Sequence, residues 1–224
     1  MEPVLIASSI VILLFSVIIH EVMHGVMALK FGDRTAENAG RLTLNPIPHI
    51  DPIGTILVPT MLILSGLLFP GGSGFIIGWA KPVPVNPLNF SNIRKGELYV
   101  SLAGVGSNFA LAIFATIIYH LYILLSPLTA NLLILEILSF TVTINLLLGI
   151  FNLLPIPPLD GSKVLMSRLP TKLAIQYQSL EKYGMLILLF LWFVPIAGVP
   201  ILGLIISLLV NALGSILGVP LRLF

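Results

Sequence analysis

The segment His20-Glu21-Val22-Met23-His24 has the residue types and the spacing of a metal-dependent hydrolase site. On a helix, residues i and i+4 project from one face, so His20 and His24 are predicted to place ring nitrogens on one tetrahedral ion. Glu21 lies about 100° round the helix from His20, which leaves it beside the ion rather than bound to it. A general base must occupy that position to take a proton from an attacking water.

This cluster lies in a stretch where charge is costly. Residues 3–19 have no ionisable side chain, and between residues 22 and 29 only His24 can ionise. A carboxylate at membrane depth indicates a functional site. The alternative is a pair of buried histidines hydrogen-bonded inside a helical bundle, with Glu21 as their counter-ion. Packing alone is a poor explanation for an HExxH pattern in a spanning segment.

The composition is that of an integral membrane protein, with the lipid bilayer as its surroundings. The chain has 224 residues, of which 57% are hydrophobic and 9% are charged, whereas soluble proteins are about 25% charged. The net charge of +2 is too small to indicate nucleic-acid binding. Cysteine is absent, which excludes disulfides and thiolate ligands. A homo-oligomer is compatible with this composition, but nothing in the sequence indicates one.

The apolar runs predict an all-α polytopic bundle of about four to six membrane segments. We expect a single domain over residues 1–224, without a soluble regulatory domain. Long helices are predicted over 3–31, 97–125 and 130–153. The apolar run 183–217 contains Pro195 and Pro200 and is predicted to be a broken helix or a helical hairpin.

Two segments are not expected to be straight helices. Segment 53–78 contains two prolines and the cluster Gly71-Gly72-Ser73-Gly74, so we predict a re-entrant or hairpin element there. Segment 79–90 has prolines at positions 82, 84 and 87, which favours a short extended segment at the membrane surface. Such a segment offers a few main-chain groups that could capture an unwound substrate by strand addition.

A catalytic zinc site needs a third protein ligand, with the fourth position left for water. The candidates are the other histidines and the acidic residues near apolar sequence: His49, His120, Asp51, Glu97, Glu136 and Asp160. Asp160 is the strongest, because it follows a proline-rich stretch after a long helix. An unwound segment at membrane depth is tolerated only where it lines a cavity. The alternative role for Asp160 is to cap a helix that starts at Ser162.

The motif HEVMH over 20–24, together with NLLPIPPLDG over 152–161, resembles the site-2 protease family of intramembrane zinc metalloproteases. Residues 103–108, Ala-Gly-Val-Gly-Ser-Asn, are similar to the family's small-residue segment ending in asparagine, although Val105 stands where proline is common. The resemblance covers the family's three-helix core. The chain resembles the minimal, single-domain members of the family.

The resemblance implies one catalytic zinc held by His20, His24 and Asp160, with Glu21 as the catalytic base. It implies hydrolysis of a peptide bond in or near a transmembrane helix of a protein substrate. It also implies that Asn152 and the Pro155 to Pro158 stretch, including Pro157, help to hold an extended substrate near the metal. The alternative for Asn152 is ordinary hydrogen bonding between helices.

Three further polar residues are candidates for accessory roles. His49 and Asp51, set between prolines, could gate water or substrate or bind a second ion, but a rigid loop whose polar groups satisfy one another is the favoured interpretation. Asn108, like Asn145, is assigned mainly to hydrogen bonding between helices.

The metal site also predicts a topology. Asp160 follows segment 130–153, so that segment must end on the same side as the first helix. The tight turn near residue 127 makes 97–125 and 130–153 a hairpin, and residues 31 and 97 then share a side. The loops on that side carry nearly all the basic residues, so the positive-inside rule predicts that they and the active-site opening are cytoplasmic.

Two functions from other classes stay open at this stage. A membrane metal-binding protein or transporter would also place histidine and aspartate in a bundle, but it should show a polar path across the membrane, and segment 97–125 offers few such residues. A catalytically silent relative would keep the fold without the base, and the presence of Glu21 argues against it.

Overall fold

In a computed structural model, which describes residues 3–57, 80–126, 130–196 and 199–221, the chain is an all-α protein. The fold is built on three long helices, α1 (Pro3–Lys30), α3 (Ile93–Leu125) and α4 (Leu132–Leu153). The shorter helices are α2 (Thr35–Asn38), α5 (Asp160–Arg168), α6 (Thr171–Gln178), α7 (Glu181–Phe193) and α8 (Ile201–Leu217). Within the described ranges, the β structure is a two-residue antiparallel ladder, β1 (Pro195–Ile196) with β2 (Val199–Pro200).

The three long helices confirm the predicted membrane-spanning segments. Each of α1, α3 and α4 is long and apolar enough to cross a bilayer. Helices α7 and α8 have 13 and 17 residues, which is short of the roughly 20 that a span requires. The chain is therefore a multi-pass integral membrane protein, and the prediction of four to six segments stays a prediction.

Local sequence signals begin and end these helices. The side chain of Asn92 accepts a hydrogen bond from the Lys95 N–H and caps α3. Asn131 caps α4 in the same way through the Leu133 N–H. Helix α1 ends just before Gly32, whose φ of +100° suits glycine.

The core lies where α3, α4 and α8 meet. Small residues on α3, Ala112 and Ala115, are buried against Val142 and Leu146 of α4, and α8 contributes Leu202, Ile206 and Val210 to the same cluster. Small side chains let helices approach closely in a membrane protein, where packing replaces the hydrophobic effect as the driving force.

The apolar run 183–217 is a helical hairpin, which is one of the two predicted alternatives. Helix α7 ends at Phe193, the ladder pairs Pro195 with Pro200, and α8 begins at Ile201. Proline cannot continue a helix, so the two prolines place the turn. The re-entrant or hairpin element predicted over 53–78 falls outside the described residues, apart from a short π-helix over Pro52–Leu57.

Residues 80–86 are extended without regular secondary structure, and a single 3-10 turn follows over Pro87–Asn89. This extended segment is tied to its neighbours through the main chain. The Lys81 N–H donates to the carbonyl of His49 (2.9 Å), Arg41 donates to the Lys81 carbonyl (2.6 Å), and the Asn86 N–H donates to Asp33 (2.8 Å). The Val83 N–H also donates to Glu21 of α1, so the segment lies beside the C-terminal half of α1, which contains His20 and His24.

Candidate metal centre

Two histidines of α1 and the first residue of α5 converge on one point. The Nε2 atoms of His20 and His24 lie 3.0 Å apart, and Asp160 Oδ2 lies 3.1 Å from the first and 3.2 Å from the second. All three residues are buried, with less than a tenth of their surface exposed. The structure thus brings the two histidines close to Asp160, which lies 136 and 140 positions after them in the sequence.

The other ring nitrogen of each histidine fixes its tautomer. His20 Nδ1 lies 2.7 Å from the side-chain oxygen of Asn108, and His24 Nδ1 lies 2.7 Å from the carbonyl of Val100. Both oxygens can only accept, so both Nδ1 atoms must carry the proton. In the neutral imidazoles each Nε2 therefore presents a lone pair to the shared point, as a metal-ligating histidine requires.

The orientation of the Asn108 amide is itself fixed by a buried chain of hydrogen bonds. Asn108 Nδ2 donates to Asn145 Oδ1 (3.0 Å), and Asn145 Nδ2 donates to Ser16 Oγ and to the Thr141 carbonyl, each at 2.9 Å. The carbonyl can only accept, so it sets the direction of every bond in the chain. Asn108 and Asn145 do join helices, as expected, but Asn108 also orients His20.

The third member of the cluster is an ionised carboxylate. Aspartate binds a metal ion through an oxygen of its deprotonated carboxylate, so this is the form that the site uses. Asp160 is the first residue of α5, and its side chain is directed to the histidines, whereas the cap position belongs to Leu159. The capping role considered for Asp160 is therefore not what its side chain does.

These three atoms fit a zinc ion. Two lone pairs and an anionic oxygen at 3.0 to 3.2 Å from one another repel unless a cation lies between them. Ligands of a tetrahedral ion with bonds of about 2.0 to 2.1 Å lie about 3.3 Å apart. Nitrogen and carboxylate donors in this number are typical of a catalytic zinc site with one open position.

Small residues permit this close approach. A Cβ atom at Gly104 of α3 would lie 2.5 Å from His24 Nε2 and 2.8 Å from His20 Cε1. At Gly161, a Cβ would collide with the carbonyl oxygens of Leu153 and Leu154. Glycine at these two positions is therefore a steric requirement of the site, since one lets α3 lie against the imidazoles and the other lets α5 begin beside α4.

Glu21 lies beside the cluster with one oxygen bound and one free. Its Oε2 accepts a hydrogen bond from the main-chain N–H of Val83 (2.8 Å). Among the described residues, Oε1 has no hydrogen-bond partner. A ligand atom of Glu21 lies within 4.8 Å of those of His20 and His24. Because Asp160 already completes a tight triangle with the histidines, this arrangement favours Glu21 as a neighbour of the ion.

The site opens into a cavity of about 320 Å³. The extended segment forms one wall, with Pro82, Val83, Val85 and Pro87. Another part of the lining includes Asn152, Pro158 and Lys163. The side-chain nitrogen of Asn152 donates to the carbonyl of Leu148 in its own helix (3.0 Å). The predicted substrate-holding residue thus lines the same cavity as the histidines.

Two prolines predicted to hold substrate are not part of this cavity lining. The Pro155 carbonyl accepts a hydrogen bond from the Tyr177 hydroxyl of α6 (2.5 Å). The Pro157 carbonyl lies against Gly184 of α7, where a Cβ would collide with it. Their contacts shape the unwound stretch before Asp160, while Pro158 is the proline that faces the cavity.

The accessory candidates His49 and Asp51 have local partners. His49 is buried and its Nε2 bonds to the Thr43 carbonyl (2.9 Å). Asp51 accepts hydrogen bonds from the N–H groups of Ile53 and Gly54 at the start of the π-helix. Neither residue lines the metal cavity in the described part of the chain. His49 Nδ1 is buried without a hydrogen-bond partner among the described residues, so the interpretation as a rigid loop whose polar groups satisfy one another stays a prediction.

Sequence reasoning missed the main-chain groups of this site. The carbonyl of Val100 orients His24, and the N–H of Val83 binds Glu21, but a main-chain group leaves no mark in a residue's identity. Gly104 was noticed only as part of a small-residue segment. The signal for Asn108 was present, since a buried amide at membrane depth must be satisfied by a neighbour.

The chain is similar in sequence to a family of peptidases and to curated relatives. A model of peptidase family M50 matches residues 121–195. YwhC of Bacillus subtilis (strain 168), provisionally named a zinc metalloprotease, is 37% identical over 190 residues, which are 84% of this chain and 80% of YwhC.

More distant relatives carry the same kind of name. Rip2 of Mycolicibacterium smegmatis, also provisionally named a zinc metalloprotease, is 29% identical over 183 residues, and Rip2 of Mycobacterium tuberculosis (strain H37Rv) is 30% identical over 183 residues. In both cases the aligned part is 81% of this chain but only 65% of Rip2. No solved structure matches the chain at a significant level.

Proposed function

We propose that this chain, which belongs to peptidase family M50, is a zinc metalloprotease that hydrolyses a peptide bond in or near a transmembrane helix of a protein substrate. The observation that carries the proposal is the triangle of His20 Nε2, His24 Nε2 and Asp160 Oδ2 with Glu21 beside it. His20, Glu21 and His24 lie on α1, which is long and apolar enough to cross a bilayer, and this supports a substrate that is itself in the membrane.

The three ligands and the base divide the chemistry between them. His20, His24 and Asp160 would hold one zinc ion, which supplies a Lewis acid for the scissile carbonyl and lowers the pKa of a coordinated water to about 7. Glu21 accepts the proton of the attacking water and later delivers it to the leaving amine. Its free Oε1 is the atom available for this transfer, because Oε2 is occupied by the Val83 N–H.

Two walls of the cavity are suited to an unwound substrate backbone. A helical peptide bond is hydrogen-bonded within its own helix, so the substrate must unwind locally before it can be cut. The amide of Asn152 can both donate to and accept from an extended chain. On the other wall, the N–H and C=O of Val85 have no hydrogen-bond partner among the described residues, which leaves that residue able to pair with one substrate residue.

We assign the cavity opening to the cytoplasmic side. The basic residues of the described ranges lie in the last turn of α1, the first turn of α3, and the loops and short helices: Lys30, Arg34, Arg41, Lys81, Arg94, Lys95, Lys163, Arg168, Lys172 and Lys182. We assign all of these to the end of the bundle where α1 ends and α3 begins. The sequence from Ser126 to Asn131, which joins α3 to α4 at the other end, has no lysine or arginine. The positive-inside rule supports this orientation.

Replacement of the base tests the function directly. The Glu21→Gln variant should retain zinc and lose cleavage of a model transmembrane substrate by about 10²-fold or more, since proton transfer by a positioned side chain contributes about 10²- to 10⁴-fold. Zinc content of the purified protein and product formation in detergent are the two measurements. Glu181→Gln, an exposed glutamate of α7, is the control and should cleave normally. Undiminished cleavage by Glu21→Gln would falsify the mechanism.

A further inference from the structure

We propose that the main-chain N–H of Val83 is a positioning group for catalysis, which holds the Glu21 carboxylate in the orientation needed to take a proton. This inference rests on the proposed function, in which Glu21 is the base. It gives the extended segment a role in the proton transfer itself, in addition to any contact with substrate.

The hydrogen bond joins two elements that otherwise belong to different parts of the chain. Val83 N lies 2.8 Å from Glu21 Oε2, and Val83 is buried with 7% of its surface exposed. A glutamate side chain has three rotatable bonds, so a carboxylate without a partner occupies many orientations. One bond to a fixed donor removes most of that freedom and leaves Oε1 directed by the geometry of the other oxygen.

The donor itself is held rigidly. Arg41 Nη2 donates to the carbonyls of Lys81 (2.6 Å) and Pro82 (3.4 Å), directly before Val83. The Lys81 N–H donates to His49, and the Asn86 N–H donates to Asp33. The segment is therefore anchored on both sides of Val83. A donor fixed before substrate arrives has no ordering cost at the moment of reaction.

The sequence of the segment isolates this donor. Pro82 and Pro84 have no N–H, so Val83 is the one residue of the three that can donate to Glu21 from this position. Pro84 also restricts Val83 to an extended conformation. A run of three prolines is compatible with an extended polyproline path, so Val83→Pro is the substitution that removes the donor with least expected change in the path of the chain.

The decisive comparison is Val83→Pro against Val83→Ala. Both variants lose the isopropyl group, but only alanine keeps the N–H. We expect kcat of Val83→Pro to be about 10- to 100-fold below that of Val83→Ala, the range typical of outer-shell partners, with KM for a model transmembrane substrate within about twofold and equal zinc content. If the segment had only a packing role, loss of the N–H would not lower kcat while leaving KM and zinc content unchanged.

A double-mutant cycle with Glu21→Asp tests whether the effect passes through the base. Aspartate is one methylene shorter and cannot keep the same bond to Val83, so Val83→Pro should cost less than about threefold in that background. Arg41→Ala provides a second route, because it releases the carbonyls that fix the donor. It should lower kcat with zinc retained even if Val83→Pro proves unable to fold.

Several results would overturn the inference. Equal kcat for Val83→Pro and Val83→Ala, a change confined to KM, or a faster Val83→Pro enzyme would each show that the N–H does not aim the base. If Glu21→Gln remains fully active, the proposed function fails and this inference fails with it. An inactive Glu21→Gln with equal kcat for the two Val83 variants rejects the positioning role alone.

Discussion

The closeness of the two imidazoles depends on the absence of a side chain at position 104. Gly104 lies on α3 directly opposite His20 and His24, and the rings occupy the space that a Cβ would fill. Since His24 is also held by the Val100 carbonyl on the same helix, any outward movement of α3 would break that bond. The metal site and the packing of α3 on α1 are therefore one structural feature.

Gly104→Ala should reduce zinc retention and cleavage together. The added methyl would lie 2.8 Å or less from both rings, so the imidazoles must rotate or the helices must separate. We expect at least a tenfold loss of zinc affinity, measured by competition with a chelator, and a parallel loss of activity.

The matched control lies two residues further along the same helix. A Cβ at Gly106 meets nothing within 4 Å, so Gly106→Ala should leave zinc affinity unchanged and stabilise α3 by about 0.5 to 1 kcal/mol. Equal zinc affinity for both alanine variants would mean that the space at Gly104 does not determine the site.

At this scale the sequence predicted side chains and missed main-chain groups. His20, Glu21, His24 and Asp160 were predicted because their types and spacing are demanded by metal chemistry. The partners that orient them are the Val100 carbonyl, the Val83 N–H and the Asn108 amide. The role of that amide depends on which helix lies opposite it. Those partners follow from the relative placement of helices, which a single sequence does not encode locally.

Among the elements, the extended segment is held by the carboxylate of Asp33, to which the sequence pattern assigned no role. Asp33, just after α1, is fully buried and accepts hydrogen bonds from the N–H of Asn86 (2.8 Å), from Asn89 Nδ2 (2.8 Å) and from both the N–H and the hydroxyl of Thr35. Burial raises the pKa of Asp33, but these hydrogen bonds outweigh it and hold the pKa below its usual value.

Asp33→Asn should loosen the segment and remove a pH dependence. An amide nitrogen in place of one oxygen would face a donor, so we expect a loss of about 1 to 2 kcal/mol of stability at neutral pH. Because the folded pKa is depressed, the stabilisation by Asp33 is complete above its unfolded pKa of about 3.9 and is lost as the pH falls through the lower folded value.

Thermal unfolding in detergent between about pH 7 and pH 3 measures this difference. The Tm of the wild type should approach that of Asp33→Asn as the pH falls below about 4. Glu37→Gln, a half-exposed residue of α2, is the control and should follow the wild type. A constant Tm gap between wild type and Asp33→Asn at every pH would contradict the assignment.

Helices were easier to predict than the segments between them. Apolar length and proline position located α1, α3, α4 and the α7–α8 hairpin, because lipid demands continuous helices and proline interrupts them. Helix α3 starts at Ile93, four residues before the predicted 97, since the cap at Asn92 extends it through basic residues at the membrane surface. The path of residues 80–90 depends on contacts with Arg41 and Asp33. No local sequence pattern predicts these contacts, because the partners are distant in the sequence.

For the whole molecule, the site constrains how the long helices run. Helix α1 ends beside the start of α3, where the Ser91 N–H donates to the Phe31 carbonyl (2.8 Å) and the Phe31 and Tyr99 rings stack. Helix α4 runs back to the same end and delivers Asp160 to the histidines. Residues 31 and 97 were predicted to share a side of the membrane, because Asp160 must reach the histidines of α1. The arrangement of the three helices agrees with that prediction.

The absence of cysteine makes this topology directly testable. Single cysteines at Lys30, Lys95 and Ser126 can be introduced into a chain that has no competing thiol. We expect the first two to react with a membrane-impermeant maleimide only when the cytoplasmic face is accessible, and the third only from the opposite face, because α3 separates Lys95 from Ser126 by a full span. Labelling in inverted and right-side-out vesicles measures the two faces separately.

If Lys30 and Lys95 react from opposite faces, the shared end of α1 and α3 is wrong. If they react together from the outer face, the helix arrangement stands and the positive-inside assignment is wrong.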